Sequence, residues 1–390
     1  MKLASRLDRI EPFYVMECAK AAVDIARSPA CADEPMIFLN IGEPDFTAPP
    51  PVLAAAQRCM EAGRTHYTQA TGEPALRERI GRWYGERFGL DIAPERIVVT
   101  AGASAALHLA CLALVERGDE VLMPDPSYPC NRHFVTAADG VPVLLPATAE
   151  ERFQLSAAKV EGAWTARTRG VLLASPSNPT GTSIAPDEMG RIVQAVRSRG
   201  GFTLVDEIYL ALSFDDAFGR SALAHGGDVI SINSFSKYFC MTGWRLGWLV
   251  LPEALVPAVE KLAQNLYIRP SSLAQQAALA CFEPESIAEY ERRRQEFRAR
   301  RDFLVPALEA LGLRVPVVPD GAFYAWADCS AHAASSWDFS FDMMRRAHVA
   351  ITPGRDFGHA GTGRFVRLSY ASSLAALHEA VRRLGRVLRG

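Results

Sequence analysis

An α/β architecture built on a mostly parallel sheet is the fold this chain predicts, and three observations predict it. Short apolar runs alternate with polar loops and helical stretches through the first 285 residues, the rhythm of strands joined by crossover helices. Turn-forming polar motifs follow those runs directly, at the strand ends where open α/β sheets place their sites. Beyond residue 285 the pattern changes to a long charged helical stretch followed by further strands. At 390 residues the chain exceeds what one core fills, so a large α/β domain and a smaller α+β domain are expected.

The elements follow in order. A helix is predicted over residues 13–27, rich in Ala and aliphatic side chains, then a strand over 36–40 that ends in Ile41-Gly42-Glu43-Pro44-Asp45-Phe46. A strand running into Gly-Glu-Pro exposes backbone amides at a turn; taken alone, Gly42 is a turn residue and nothing more. The polar run Thr65-His66-Tyr67-Thr68-Gln69-Ala70-Thr71-Gly72 precedes a helix over 73–88, whose Leu76, Ile80 and Tyr84 share a buried face. Residues 97–100 read as a strand, and Ala101-Gly102-Ala103-Ser104 opens an apolar helix to about residue 115. Small residues at such a junction leave helix N–H groups open for an anion, helped by the macrodipole, although many such turns bind nothing.

The next strand, 121–123, leads into Pro124-Asp125-Pro126-Ser127-Tyr128-Pro129. Another, 170–174, runs into Asn178-Pro179-Thr180-Gly181, a turn by composition; at the end of a parallel strand Asn178 would face the ligand crevice. A helix over 186–199 precedes the strand 202–205 and then Asp206-Glu207-Ile208-Tyr209. The strand 229–232 opens onto Asn233-Ser234-Phe235-Ser236-Lys237, with Arg245 framed by Gly243 and Gly247. After residue 285 come a helix over 287–311, strands over 313–318 and 322–327, a strand over 365–370 and a helix to 388. Arg367 sits inside that penultimate apolar run, where an unpaired charge is costly to bury.

Composition sets limits. The chain is 49% hydrophobic and 22% charged with a net charge of −2, a balance that argues against nucleic acid or a membrane surface as the main partner. The arginine-rich segment 289–301 is interspersed with Glu and reads as a solvated helix face. No apolar run approaches bilayer length, and the first residues lack the apolar core of a secretory signal. Eight cysteines without CxxC pairs read as free thiols in a reducing cytoplasm, with no metal site. Neither GxGxxG nor GxxxxGK spacing occurs, so a nucleotide site has little support.

Lys237 carries the sharpest chemical signal. Just past a core strand, a low-dielectric setting favours its neutral amine, the form that attacks a carbonyl. Ser234, Ser236 and Arg245 close by could hold a phosphate. A lysine beside a phosphate site describes a protein carrying pyridoxal phosphate as a Schiff base. By itself Ser-x-Ser-Lys is usually a solvated turn; the remaining motifs give it company.

The run from Asn233 to Gly247 resembles the lysine motif of the class I/II aminotransferases, the aspartate aminotransferase-like family of fold type I. Tyr67 to Gly72 with Leu76-Arg77 resembles that family's Tyr-x-x-x-x-Gly-x-x-x-Leu-Arg, and Arg367-Leu368-Ser369-Tyr370-Ala371 its C-terminal signature. The likeness spans the chain from Gly42 to Arg367, with the motifs in the family's order. It implies a seven-stranded, mostly parallel sheet flanked by helices in a large domain (48–285). It also implies a small C-terminal domain (286–390) and an N-terminal segment (1–47) packing with the small one. The activity implied is ping-pong transfer of an amino group from an L-amino acid to a 2-oxo acid.

The resemblance also assigns roles. Lys237 would hold pyridoxal phosphate and then move the proton as base and acid. Asp206 would keep the pyridine nitrogen protonated, Asn178 and Tyr209 would hydrogen-bond the ring oxygen, and Tyr128 would stack on the ring. Ser234, Ser236, Arg245 and the Ala103–Ser104 turn would grip the phosphate, joined by Tyr67 from the second subunit of a homodimer. Gly42 would lie beside the substrate carboxylate and Arg367 would clamp it bidentately. Arg269 does not align cleanly with the second arginine of dicarboxylate-specific members, which leaves alanine, aspartate or an aromatic amino acid open as donor, with 2-oxoglutarate or pyruvate as acceptor. A lyase or decarboxylase on the same fold is the alternative. A non-catalytic pyridoxal phosphate-binding regulator would need a fused DNA-binding domain, for which residues 1–35 are too short and not basic enough.

Overall fold

The computed structural model describes residues 1–389. Its strands are β1 (Ile37–Phe38), β2 (Ile97–Thr100), β3 (Glu120–Asp125), β4 (Val141–Pro146), β5 (Thr168–Ala174) and β6 (Phe202–Asp206). There follow β7 (Ile230–Ser234), β8 (Gly247–Val250), β9 (Tyr324–Asp328), β10 (Val349–Ala350), β11 (Thr352–Pro353) and β12 (Phe365–Ser369). Seven of them form the central sheet in the order β2-β8-β7-β6-β5-β3-β4. Its β3–β4, β3–β5, β5–β6 and β6–β7 pairs are parallel, and β8 alone runs antiparallel to its neighbours β7 and β2. The mostly parallel seven-stranded sheet expected from the sequence is the one seen.

The apolar strands split by alternation between two cores. Val99, Leu122, Val171, Leu173, Val205 and Trp248 face one layer of helices. Val98, Val121, Leu172, Leu204, Ile232 and Leu249 face the other. Burial on both faces is why these strands read as continuous apolar runs. Their register aligns the ends that matter for chemistry: Ala174 lies opposite Asp206, Asp206 opposite Ile232, and Ser234 and Thr100 both opposite Gly247.

A second, antiparallel sheet has the order β11-β12-β9 and sets Arg367 between Thr352 and Trp326. Strand β1 pairs in parallel with β10. The helix Tyr14–Ala26 buries Cys18 and Ala22 with Met36, Met344 and Ala350. The long helix Pro284–Glu309 ties the N-terminal loop down: Arg300 donates to both carboxylate oxygens of Asp45 at 2.7 and 2.9 Å, and Arg293 donates to the Thr47 carbonyl at 2.6 Å.

Two expectations need correction. No strand forms over 313–318: only an isolated bridge joins Arg314 to Asp328, because Pro316 and Pro319 remove the backbone donors a ladder needs. Conversely, β4, β8, β10 and β11 were not anticipated. Two prolines interrupt the apolar run of β4 at the sheet edge, and β8 begins inside the Arg245 motif.

The segment after β7 hangs on aromatic rings. Phe235 lies 4.9 Å from the Trp248 ring, and Phe239 lies 5.5 Å from Trp83 and 5.3 Å from Phe282. These two buried phenylalanines bracket Lys237. Removing one ring from so tight a cluster leaves a cavity, so Phe239→Ala is expected to lower the unfolding free energy by about 3–5 kcal/mol in denaturant titrations. A loss below about 1 kcal/mol would contradict this anchoring.

Candidate active site

Strand ends converge on one cavity of about 290 Å³. Strand β2 ends at Thr100, and the chain turns through Gly102 into the helix Ala103–Leu114. Gly102 has φ +87°, and a Cβ there would stand 2.6 Å from Arg245 Nη2, so only glycine lets the guanidinium reach the helix start. No side chain caps that helix, which leaves its first amides free to meet an anion. Arg245, itself in the left-handed region with φ 53°, donates through Nη1 to the Thr242 carbonyl at 3.0 Å and lies 3.5 Å from Ser236 Oγ. Ser234 Oγ accepts from the Ser236 amide at 2.9 Å and donates to the Leu246 carbonyl at 3.3 Å. This end of the cavity is cationic and rich in hydroxyls and amides.

Asp206 closes β6 in the middle of the cavity. It is buried, and its Oδ1 accepts from the Ile208 amide at 3.1 Å. Burial pushes its carboxyl up to about 7, against the Ile208 hydrogen bond and the charge of Lys237, while Glu207 adds to the rise. Lys237 Nζ donates to the Gly42 carbonyl at 2.7 Å and stands 5.8 Å from the centre of the Tyr209 ring. Burial pulls its amine down to about 8; the Glu43 carboxylate opposes this and the positive charges of Arg367 and Arg245 reinforce it.

The small sheet supplies the opposite wall. Arg367 is buried on β12 and donates through Nη1 to Asn178 Oδ1 at 2.9 Å and through Nη2 to the Asn40 carbonyl at 2.8 Å. Its guanidinium lies 4.4 Å from the centre of the Tyr324 ring, and its Nε has no partner. Among the described residues no carboxylate pairs with it. A buried cation held by neutral acceptors is an incomplete anion site. Gly42 fits against this wall because a Cβ would fall 2.8 Å from Tyr324 Oη. Tyr209 and Tyr324 share a hydrogen bond of 2.7 Å between their hydroxyls. The Tyr128 ring meets the edge of Phe13 at 6.1 Å.

Gly42, Ala103, Ser104, Tyr128, Asn178, Asp206, Tyr209, Ser234, Ser236, Lys237, Arg245 and Arg367 all line this one cavity. Tyr67 does not: it is exposed, and Arg269 lies over its ring at 4.6 Å. Arg269 also donates to the Thr68 carbonyl and is likewise outside the lining. Reading the sequence missed Tyr324, Thr242, Phe13, Val15 and Met16, which complete the walls. Tyr324 looks like ordinary core in an apolar strand, and the N-terminal residues look like the start of an amphipathic helix. Among the described residues no group of His, Cys, Asp and Glu is arranged to hold a metal ion.

Comparison with known proteins places this geometry. The model of the family "aminotransferase class I and II" matches residues 34–384. The chain is 37% identical over 380 residues to a valine–pyruvate aminotransferase of Mycobacterium tuberculosis, covering 96% of each protein. It is 35% identical over 360 residues to an aspartate aminotransferase of Pyrococcus horikoshii, covering 92% of each. Among solved structures, an aminotransferase from Mycobacterium tuberculosis superposes with a TM-score of 0.95 at 37% identity, covering 100% of this chain and 99% of that one. The aspartate aminotransferase of Thermus thermophilus with maleate gives 0.92 at 31% identity, covering 99% and 100%. The family match over nearly the whole chain, together with relatives above 30% identity along nearly their full length, shows that this chain belongs to the class I and II aminotransferases.

Proposed function

We propose that the cavity binds pyridoxal 5′-phosphate and exchanges an amino group between an L-amino acid and a 2-oxo acid, with Lys237 as the central base. The observation that carries this is the convergence on one cavity of the Lys237 amine, the buried Asp206 carboxyl and the guanidinium groups of Arg245 and Arg367, neither of which pairs with a carboxylate among the described residues. The donor set fits the cofactor. Free helix amides with Arg245, Ser234, Ser236 and Ser104 suit a phosphate. Asp206, whose carboxylate is held in a dry pocket, suits a protonated ring nitrogen.

Bound there, pyridoxal phosphate supplies a carbonyl for the amino group and a ring that draws electrons from the donor Cα. The residues do the rest. Arg367 grips the donor carboxylate with its two Nη groups, displacing the weaker contacts to neutral acceptors. Lys237 Nζ takes the Cα proton and returns it, a role suited to an amine that is neutral near physiological pH. Asn178 and the Tyr209–Tyr324 pair would hydrogen-bond the ring oxygen, and Tyr128 would lie against the ring.

The same reading extends to organisation. Residues 1–47, 48–285 and 286–390 act as an N-terminal segment, a large domain and a small domain, consistent with the way β1 pairs with β10. The chain works as a homodimer in which the exposed Tyr67 reaches the partner's phosphate. It acts in the cytoplasm: its cysteines are unpaired, and no helix of the described residues is long and apolar enough to cross a membrane. The relatives' names leave aspartate and valine with pyruvate open as substrates.

Borohydride reduction of the holoenzyme should fix the cofactor to the peptide containing Lys237, and Lys237→Ala should bind it only reversibly and lack transfer; label on another lysine refutes the assignment. Because the Lys237 pKa is lowered to about 8, half of the amine is neutral at that pH and nearly all of it about one unit higher. Cofactor uptake by the apoprotein should therefore accelerate up to about pH 8 and level off about one unit above it, whereas an ordinary lysine keeps gaining to about pH 10.4. An uptake rate still climbing by roughly tenfold per pH unit through pH 9–10 is the contrary result. Arg367→Ala should weaken transfer by about 2–5 kcal/mol in kcat/KM, chiefly through KM for the amino acid; an unchanged KM would place the carboxylate elsewhere.

A further inference from the structure

We infer that the side-chain pocket selects uncharged, apolar amino acids and monocarboxylic 2-oxo acids, with Phe13, Val15 and Met16 as the determining wall. The inference rests on the aminotransferase reading above and narrows it. Among the described residues, each cation lining the cavity is engaged: Lys237 with the Gly42 carbonyl, Arg245 with the Thr242 carbonyl at the proposed phosphate end, and Arg367 with Asn178 and the Asn40 carbonyl where the α-carboxylate is proposed to bind. Among the described residues of one subunit, no further cation lines the cavity to meet a second carboxylate.

The wall beyond Arg367 is built by the start of the helix Tyr14–Ala26. Phe13, Val15 and Met16 line it, with Phe13 set against the Tyr128 ring. Their position is fixed: the Val15 amide donates to Asp356 Oδ2 at 2.7 Å, and the Val15 side chain packs with Trp326, Phe357 and Phe365. Nearby cations are turned to other tasks. Arg355 lies over the rings of Tyr14 and Trp337 at 4.5 and 4.8 Å, and Arg132 donates to the Asp356 carbonyl. Arg269, stacked on Tyr67 and bonded to the Thr68 carbonyl, would travel with Tyr67 to the phosphate end of the partner's site, away from the wall of Phe13, Val15 and Met16.

One pocket serves both half-reactions, so the restriction applies to both substrates. The amino group and the Cα hydrogen leave the donor, which is oxidised to a 2-oxo acid. Both appear on the acceptor, whose carbonyl oxygen is given up to the donor carbon by way of water and which is reduced by the same two electrons. An acceptor with a distal carboxylate meets the same uncharged wall as a donor with one. Burying that carboxylate without a partner is strongly unfavourable.

The test uses the pyridoxal phosphate-loaded enzyme with L-valine, L-alanine, L-aspartate and L-glutamate, followed by the cofactor's absorbance in single turnovers, then with pyruvate and 2-oxoglutarate as acceptors. Valine and pyruvate should exceed aspartate and 2-oxoglutarate by about 100-fold or more in kcat/KM. Aspartate or glutamate reacting as fast as valine overturns the inference while leaving the aminotransferase reading intact; no exchange with any donor removes both. Met16 is an exposed side chain at the cavity mouth, so Met16→Arg should fold normally, raise kcat/KM for aspartate about tenfold and lower it for valine through KM. A uniform change for all donors would mark Met16 as merely structural and count against the wall. Arg269→Ala should leave the order of donors unchanged; a selective loss with the dicarboxylates would show that a partner's arginine reads charge, and would overturn the inference.

Discussion

Positive charge gathered around one cleft, and fully buried at Arg367, shapes the rest of the molecule. Lys237, Arg245 and Arg367 line one cavity, and the buried carboxylate among its lining residues is Asp206. Where that charge is buried, as at Arg367, it is stable only if hydrogen bonds spread it. The protein provides them from neutral groups: the Gly42 carbonyl for Lys237, the Thr242 carbonyl for Arg245, and Asn178 with the Asn40 carbonyl for Arg367. None of these cancels the charge. The cleft therefore stays electrostatically poised for an anionic ligand, and repulsion from the two arginines helps keep the Lys237 amine easy to deprotonate.

The scaffold explains how those charges can be held so close. Parallel strands with a shared register bring their ends to a common edge, so Ala174, Asp206, Ser234 and Thr100 line up without any loop having to reach. Alternating side chains fill two separate cores on the faces of the sheet, and the aromatic cluster beneath Lys237 fixes the backbone that carries it. The arginine on β12 comes from a different sheet, and it is positioned by antiparallel pairing with Trp326 and Thr352. Rigid elements thus place the charged groups, while the N-terminal helix contributes the apolar side of the cavity.

Much of this was legible in the sequence, for definite reasons. Strands buried on both faces leave unbroken apolar runs, and the motifs after them stand out because polar residues such as Asn178, Asp206 and Lys237 have no structural need to be there. Arg367 was legible because an arginine inside an apolar strand demands an explanation. The misses have physical causes as well. Pro316 and Pro319 interrupted what looked like a strand, since apolar periodicity says nothing about the missing backbone donors. Tyr324 and the residues Phe13, Val15 and Met16 carry no polar signal that distinguishes a cavity wall from a core. Tyr67, expected at the phosphate, lies exposed on the surface and outside the cavity.

The central claim is that the cleft accommodates an anionic ring cofactor joined to Lys237, with its phosphate end at Arg245 and its nitrogen end at Asp206. A crystal structure of the protein grown with pyridoxal phosphate tests it most directly. The account predicts continuous density from Lys237 Nζ to the cofactor, the phosphate against Ser234, Ser236 and Arg245, and the ring nitrogen within hydrogen-bond reach of Asp206. Density that leaves Lys237 free, or a phosphate seated on Arg367 instead, would contradict it.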